Sequence, residues 1–237
     1  MTTYVLVPGF WSGAWVWDAV AAELRAAGHE VHPVALGHEP DATAESHVDD
    51  VVQALEQAGP AVLVGHSGGG PVCAAAAERA RDRVTRLVFV DTGPLPDGTP
   101  QIDFNPPEAQ EWIRARVADR GAQPMPTRAE FARLGTSTEG LDDETFADLH
   151  ARSLLEPAGV ILTGVRRGRP DPSLPKTVVA CSFTEAQARE LIAAGVPAFA
   201  EMAGPEWSFV ELATGHWPML GEPVALAELL AGLGDPA

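Results

Sequence analysis

One glycine-flanked serine constrains this chain more than any other feature. Gly65-His66-Ser67-Gly68-Gly69 follows the apolar run Ala61–Val64 and precedes the small-residue run Cys73–Ala77. Gly-x-Ser-x-Gly between a strand and a helix is the pattern of a nucleophile held on a sharp turn. Glycines suit the flanks because strand and helix approach closely there and leave Ser67 standing proud. The helix that follows aims its first N–H groups at whatever the serine attacks. A plain glycine-rich turn with a bystander serine would need neither the strand nor the helix, and both are present.

The elbow sits inside a strand-helix rhythm. Thr3–Val7 reads as a buried strand ended by Pro8-Gly9, and a helix is expected from about Trp15 to Ala27, with Gly28 as its stop. A strand over Glu30–Leu36, a helix over Ala44–Gln57, the elbow unit and a strand over Arg83–Asp91 follow. That order with short connections specifies a parallel sheet with right-handed crossovers. Ligands bind such sheets at the carboxyl ends of the strands, where Ser67 and Asp91 both fall. Thr177–Ser182, a helix over about Glu185–Ala194, Trp207–Leu212 and a helix over Pro223–Leu233 complete the core.

Between them the character changes. Pro94, Pro96, Pro100, Pro106 and Pro107 break structure, and helical patterns then appear near Glu108–Arg120, Thr127–Leu134 and Asp142–Leu155. The organisation expected is an α/β core from residues 1–93 and 176–237, with 94–175 inserted as a helical cap over the sheet's carboxyl edge. Such a cap shapes a pocket and excludes water. Trp112 or Phe131 is expected to face Ser67. A chain of 237 residues, 46% apolar, buries enough for one domain of this kind.

Composition narrows the partners. A formal charge of −17 argues against nucleic acid and anionic membrane, whose phosphates would be repelled. Cys73 and Cys181 are the two cysteines, both in apolar contexts, so no disulfide framework is expected. The first residues lack a basic segment leading into an apolar one, and no apolar run approaches about 18 residues. The expectation is a soluble cytoplasmic protein, monomer or homodimer, acting on a small molecule. No zinc-type Cys/His spacing, EF-hand loop or phosphate-binding glycine loop is visible, so neither metal nor cofactor is expected.

Three stretches carry a likeness to a known family: Val5-Leu6-Val7-Pro8-Gly9-Phe10-Trp11 with Gly13-Ala14-Trp15 following, the elbow, and Gly215-His216-Trp217-Pro218. The chain resembles the α/β-hydrolase superfamily, in the branch of plant methyl-ester esterases, hydroxynitrile lyases and bacterial relatives. The resemblance implies an α/β-hydrolase fold, Ser67 as nucleophile and His216 as base, in the order Ser…acid…His. Of the seven histidines, His29, His32, His47 and His150 read as surface or packing residues, His66 should point away, and His38 stays open as a pocket residue. The family's first loop usually reads His-Gly-x, and x gives an oxyanion N–H. Pro8 replaces that His here and Phe10 falls on x, so the backbone N–H groups of Phe10 and Gly68 are the expected donors. Trp11 and Trp217 are candidate substrate contacts, while Trp15 and Trp17 read as packing.

The acid is less defined. The family commonly keeps an Asp after the strand before the last, where this chain has Ser182-Phe183-Thr184-Glu185. Thr184 cannot balance an imidazolium, so the choice lies between Asp91 and Glu185, and Asp91 is preferred because some lipases of this fold use that strand. The leading function is hydrolysis of an ester of a small or medium, largely apolar substrate through an acyl-enzyme. A lyase or cyclase using the same Ser/His pair, or a binding protein, are the alternatives. Lys176, the single lysine, precedes a strand, which counts against cyanohydrin chemistry based on a cap lysine.

Overall fold

In the computed structural model, which describes residues 1–234, the apolar runs become strands. They are β1 (Thr3–Val7), β2 (Glu30–Pro33), β3 (Ala61–His66) and β4 (Val84–Val90), separated by α1 (Asp18–Ala26), α2 (Ala44–Ala58) and α3 (Gly69–Arg79). The next segment carries α4 (Pro107–Arg120), β5 (Ala122–Gln123), α5 (Arg128–Leu134), α6 (Asp143–Ala151), β6 (Glu156–Pro157) and α7 (Ala158–Leu162). Then come β7 (Lys176–Ala180), α8 (Glu185–Ala193), α9 (Pro197–Ala200), β8 (Trp207–Glu211), α10 (Pro218–Gly221) and α11 (Pro223–Gly234).

Six strands form one sheet in the order β2-β1-β3-β4-β7-β8, and every neighbouring pair is parallel. Helices cover both faces, which is why β3 and β7 are buried along their whole length rather than at alternate residues. Side chains still alternate. Tyr4 and Leu6 of β1 join the core under α1 and α11, while Val5 and Val7 join the one under α2 and α3.

The helices start and stop for local reasons. Thr43 and Ser46 form a capping box at the head of α2, with the Thr43 hydroxyl accepting from the Ser46 N–H. The first expected helix begins later than its pattern suggested: Ala14–Trp17 is a tighter 3-10 turn, and α1 takes over at Asp18. The second strand ends at Pro33 instead of Leu36. Its register with β1 runs from Thr3 against Glu30 to Leu6 against Pro33, and the Val34 N–H makes the last bond, to the Leu6 carbonyl at 2.8 Å.

The Ala-rich face of α3 lets it lie directly on the sheet beside the elbow. A Cβ on Gly65 would stand 2.7 Å from the Cys73 Sγ and 2.9 Å from the Gly69 carbonyl. The second obstacle is backbone and cannot rotate away. Gly65→Ala is therefore expected to destabilise by about 1–3 kcal/mol, read as a lower urea midpoint. An unchanged midpoint would mean that the helix has slack that the packing does not show.

Lys176 is buried at the head of β7. Its Nζ donates to the Asp171 carbonyl at 2.7 Å and stands 3.6 Å from Glu206. The last helix expected within residues 94–175 stops at Ala151. The chain then crosses to the first loop, where the Leu154 N–H donates to the Trp11 carbonyl at 2.8 Å. It returns as β6, antiparallel to β5.

Candidate active site

Ser67, Asp91 and His216 come from three strand ends and meet above the sheet. Ser67 follows β3 at φ 47 and Asp91 follows β4 at φ 51, both in the left-handed region that non-glycine residues avoid. Such strain persists where surrounding bonds over-determine the backbone. The Ser67 N–H donates to Val90 O at 3.3 Å, and the Ser67 carbonyl accepts from the Gly70 N–H at 2.9 Å and the Thr92 hydroxyl at 2.8 Å. The Asp91 N–H donates to Val179 O at 2.8 Å, so β7 fixes the turn that carries the carboxylate.

The side chains form one hydrogen-bonded line. His216 Nε2 lies 2.8 Å from Ser67 Oγ, and His216 Nδ1 lies 2.6 Å from Asp91 Oδ2. With Nδ1–H donating to the carboxylate, Nε2 is left to accept the serine proton. Asp91 accepts three further bonds: from the Cys181 N–H at 3.0 Å, the Ser182 N–H at 2.7 Å and the Ser182 hydroxyl at 2.6 Å. Burial by itself would push this carboxyl up. The bonds from His216 and Ser182 and the attraction to His216 outweigh it and bring the carboxyl down to about 2. Asp91 is thus an anion at neutral pH.

Glu185, the other carboxylate weighed from the sequence, is not brought to His216. It opens α8 and pairs with Arg189 at 2.6 Å on the surface. Thr184 caps that helix, accepting from the Gln187 N–H at 3.2 Å. His66 points away from the pocket, as its place in the turn requires. It is buried, its Nε2 donates to the His216 carbonyl at 2.7 Å, and burial and the neighbouring His216 lower it to about 3. A neutral His66 can hold the backbone of His216 without opposing positive charge on its ring.

Phe10 and Gly68 face each other across the serine. A Cβ on Gly68 would lie 2.5 Å from the Phe10 ring, and one on Gly9 would lie 2.8 Å from Ser67 Cβ. Among the described residues the backbone N–H groups of Phe10 and Gly68 have no backbone acceptor. Gln101 Nε2 donates to the Gly68 carbonyl at 2.8 Å and steadies this side of the elbow.

Ser67, Gly68, Asp91 and His216 open into a cavity of about 490 Å³. Its wall includes Phe10 and Trp11 from the first loop and Leu95, Ile102, Ile113, Phe131 and Ile161 from 94–175. Of the aromatic residues expected there, Phe131 and Trp11 line the cavity. Trp112 does not; it lies under the Arg116 guanidinium, 4.5 Å from its ring centre. Trp217, expected to touch substrate, is not in the wall either. It is 3% exposed and packs edge-on against His216 and Phe131.

Two polar residues of this region left no signal in the sequence. Gln123 lines the cavity at 2% exposure. Glu156, its cross-strand partner, is 1% exposed and accepts the Trp11 N–H at 2.8 Å through Oε2, while Oε1 has no partner. Burial pushes the Glu156 carboxyl up to about 8, against the pull of the Trp11 N–H. Both read in the chain as polar loop residues beside glycine or proline. Among the described residues no three His, Cys, Asp or Glu groups come together as a metal site, and no helix is long and apolar enough to cross a membrane.

Comparison with known proteins agrees with the fold. The chain is 37% identical over 101 residues to a carbendazim hydrolyzing esterase from Nocardioides sp., a match covering 38% of this chain and 42% of that one. It is 30% identical over 154 residues to Methylesterase 1 of Arabidopsis thaliana, covering 58% of this chain and 54% of that protein. The chain thus spans about half the length of the curated relatives it matches. In three dimensions it superposes on an extracellular alpha/beta-hydrolase from a Paenibacillus species, described as sharing homology with tobacco salicylic acid binding protein 2. That match has a TM-score of 0.79 and 24% identity and covers all of both chains. The sequence profile of the alpha/beta hydrolase family matches residues 4–229, nearly the whole chain, and the chain belongs to that family.

Proposed function

We propose that this chain is a serine esterase that cleaves a small or medium carboxylic ester through an acyl-enzyme. The observation that carries it is the line Asp91–His216–Ser67, with contacts of 2.6 and 2.8 Å, at the floor of a largely apolar cavity. Ser67 Oγ attacks the ester carbonyl while His216 Nε2 takes its proton. The anionic Asp91 holds the ring in the tautomer that can do so and stabilises the imidazolium. The N–H groups of Phe10 and Gly68 receive the developing oxyanion. His216 then protonates the departing alcohol and later activates water against the acyl-Ser67 ester.

Residues 94–175 act in this reading as a cap over the serine, and no metal or cofactor takes part. Its place is the cytoplasm, as a monomer or homodimer. The relatives named for esterase and methylesterase activity support ester chemistry in general. The lysine-assisted lyase alternative loses support, because Lys176 is buried at the head of β7 and is not in the cavity wall.

The test is turnover of p-nitrophenyl butyrate and labelling by a fluorophosphonate probe, each with the unaltered protein and Ser67→Ala. Hydrolysis and labelling should both vanish in the variant. Equal turnover by the two proteins would remove the proposal. Ligand binding with neither turnover nor labelling would replace it with a binding or lyase role.

A further inference from the structure

Trp11 is one of three non-glycine residues in the left-handed region among the described residues, at φ 60 beside Ser67 and Asp91. Ser67 and Asp91 are fixed by N–H bonds to the ends of neighbouring strands, at Val90 and Val179. Trp11 is fixed from outside the sheet. Its N–H donates to Glu156 Oε2 at 2.8 Å, and its carbonyl accepts the Leu154 N–H at 2.8 Å. Glu156 stands in β6 opposite Gln123 of β5, and just beyond it the Ala158 N–H donates to the Gly121 carbonyl at 3.0 Å. Glu156 is 1% exposed and, among the described residues, has no part in the cavity wall.

Phe10 lies between two fixed points. On one side Gly9 is seated so closely that a Cβ there would lie 2.8 Å from Ser67 Cβ. On the other, a peptide unit is planar, so holding the Trp11 N–H also orients the Phe10 carbonyl and limits rotation about the Phe10 Cα–C bond. A non-glycine residue at positive φ keeps its strain only while such bonds hold it. Without the acceptor the loop relaxes at Trp11, one residue from the N–H that receives the oxyanion. A displaced donor loses much of its value, because it must be in place before the charge develops. We infer that Glu156 is a positioning residue: by accepting the Trp11 N–H it holds the Phe10 N–H where the oxyanion forms. What matters is an acceptor oxygen, which the carboxyl supplies with or without its proton. This rests on the esterase reading above.

The test compares Glu156→Met, which has no acceptor oxygen, with Glu156→Gln, which keeps one. On p-nitrophenyl butyrate Glu156→Met should lose about 10–100-fold in kcat/KM, and Glu156→Gln should recover most of that loss. The second readout is inhibition by a trifluoromethyl ketone beside its trifluoromethyl carbinol. Ser67 Oγ adds to the ketone carbonyl, His216 takes the proton and the ketone oxygen becomes the oxyanion, whereas the carbinol forms no adduct. The ratio of the ketone's inhibition constant to the carbinol's should rise by the same factor in Glu156→Met and return in Glu156→Gln. It is taken within each protein, so loss of folded enzyme cancels, and damage to the pocket alone moves both inhibitors together. Should Glu156→Met fail to fold, Glu156→Asp replaces it: one methylene shorter, it withdraws the acceptor and should shift the same ratio. A ratio unchanged in the variant lacking the acceptor, or shifted equally in Glu156→Gln, overturns the inference. No turnover of any ester by the unaltered protein overturns the esterase reading, and this inference with it.

Discussion

Asp91→Asn should lower kcat for an ester by about 10⁴-fold with the fold intact. Asparagine tolerates the left-handed backbone that Asp91 adopts at φ 51, so the turn can keep its shape. Its carbonyl oxygen can still accept from the Cys181 and Ser182 N–H groups, as Asp91 Oδ1 does now. The group facing His216 Nδ1 then becomes an NH₂ where the carboxylate oxygen lies at 2.6 Å. The ring satisfies that donor only by moving its own proton to Nε2, and Nε2–H cannot take the proton of Ser67. Glu185→Gln, beside it, should stay within a few-fold of the parent, because Glu185 is engaged with Arg189 at the surface. Urea unfolding of each variant separates chemistry from stability. Near-full turnover in Asp91→Asn with orders of magnitude lost in Glu185→Gln would reverse the assignment.

Glu156→Gln should stabilise the protein progressively as pH rises. The folded carboxyl keeps its proton up to about pH 8, while an ordinary exposed one loses it near 4.5. Between those values the unfolded state binds fewer protons than the folded state, so stability falls with rising pH. The slope is about 1.4 kcal/mol per pH unit, and the accumulated loss is roughly 5 kcal/mol by pH 8. Glutamine has no proton to lose and retains an oxygen for the Trp11 N–H. The melting temperature of the variant minus that of the parent should therefore grow by on the order of 10 °C between pH 5 and 8. Asp91 titrates in the opposite sense, adding stability above its ordinary value and losing it as pH falls toward about 2, so it leaves this window clear. Parallel melting curves across the window would show that Glu156 is charged in the folded protein.

Much of the architecture is legible because parallel strands covered on both faces must be apolar throughout. Ala61–His66 announces itself that way, and the glycines around Ser67 mark a close approach that other side chains would block. Which carboxylate meets His216 is half legible. Asp91 and Glu185 both sit just past strand ends, and what separates them is a contact between distant turns, the Asp91 carboxylate held by Cys181 and Ser182. No pattern in either turn encodes that meeting. Residues 94–175 are the least legible part. Strands of two residues, such as Ala122–Gln123 and Glu156–Pro157, have no periodicity to detect. The burial of Gln123 and Glu156 is decided by what the chain folds over them. Trp112 looked like a pocket aromatic for the same reason: its helix pattern says which residues share a face, but not what that face meets.

The burial of Lys176 has a consequence for how this molecule responds to alkali. It is the single lysine in the chain, so every other side-chain cation is an arginine, which stays charged, or a histidine. Burial lifts both cysteine thiols, Cys181 to about 12. The alkaline limb of the proton titration therefore holds few side chains, with one lysine and one tyrosine in the whole sequence. Against such a background, the proton leaving Glu156 near pH 8 stands out in the difference between the parent and its glutamine variant. A buried carboxyl that most proteins would hide beneath a crowd of ammonium groups can here be counted directly, with a burette or by electrophoretic mobility.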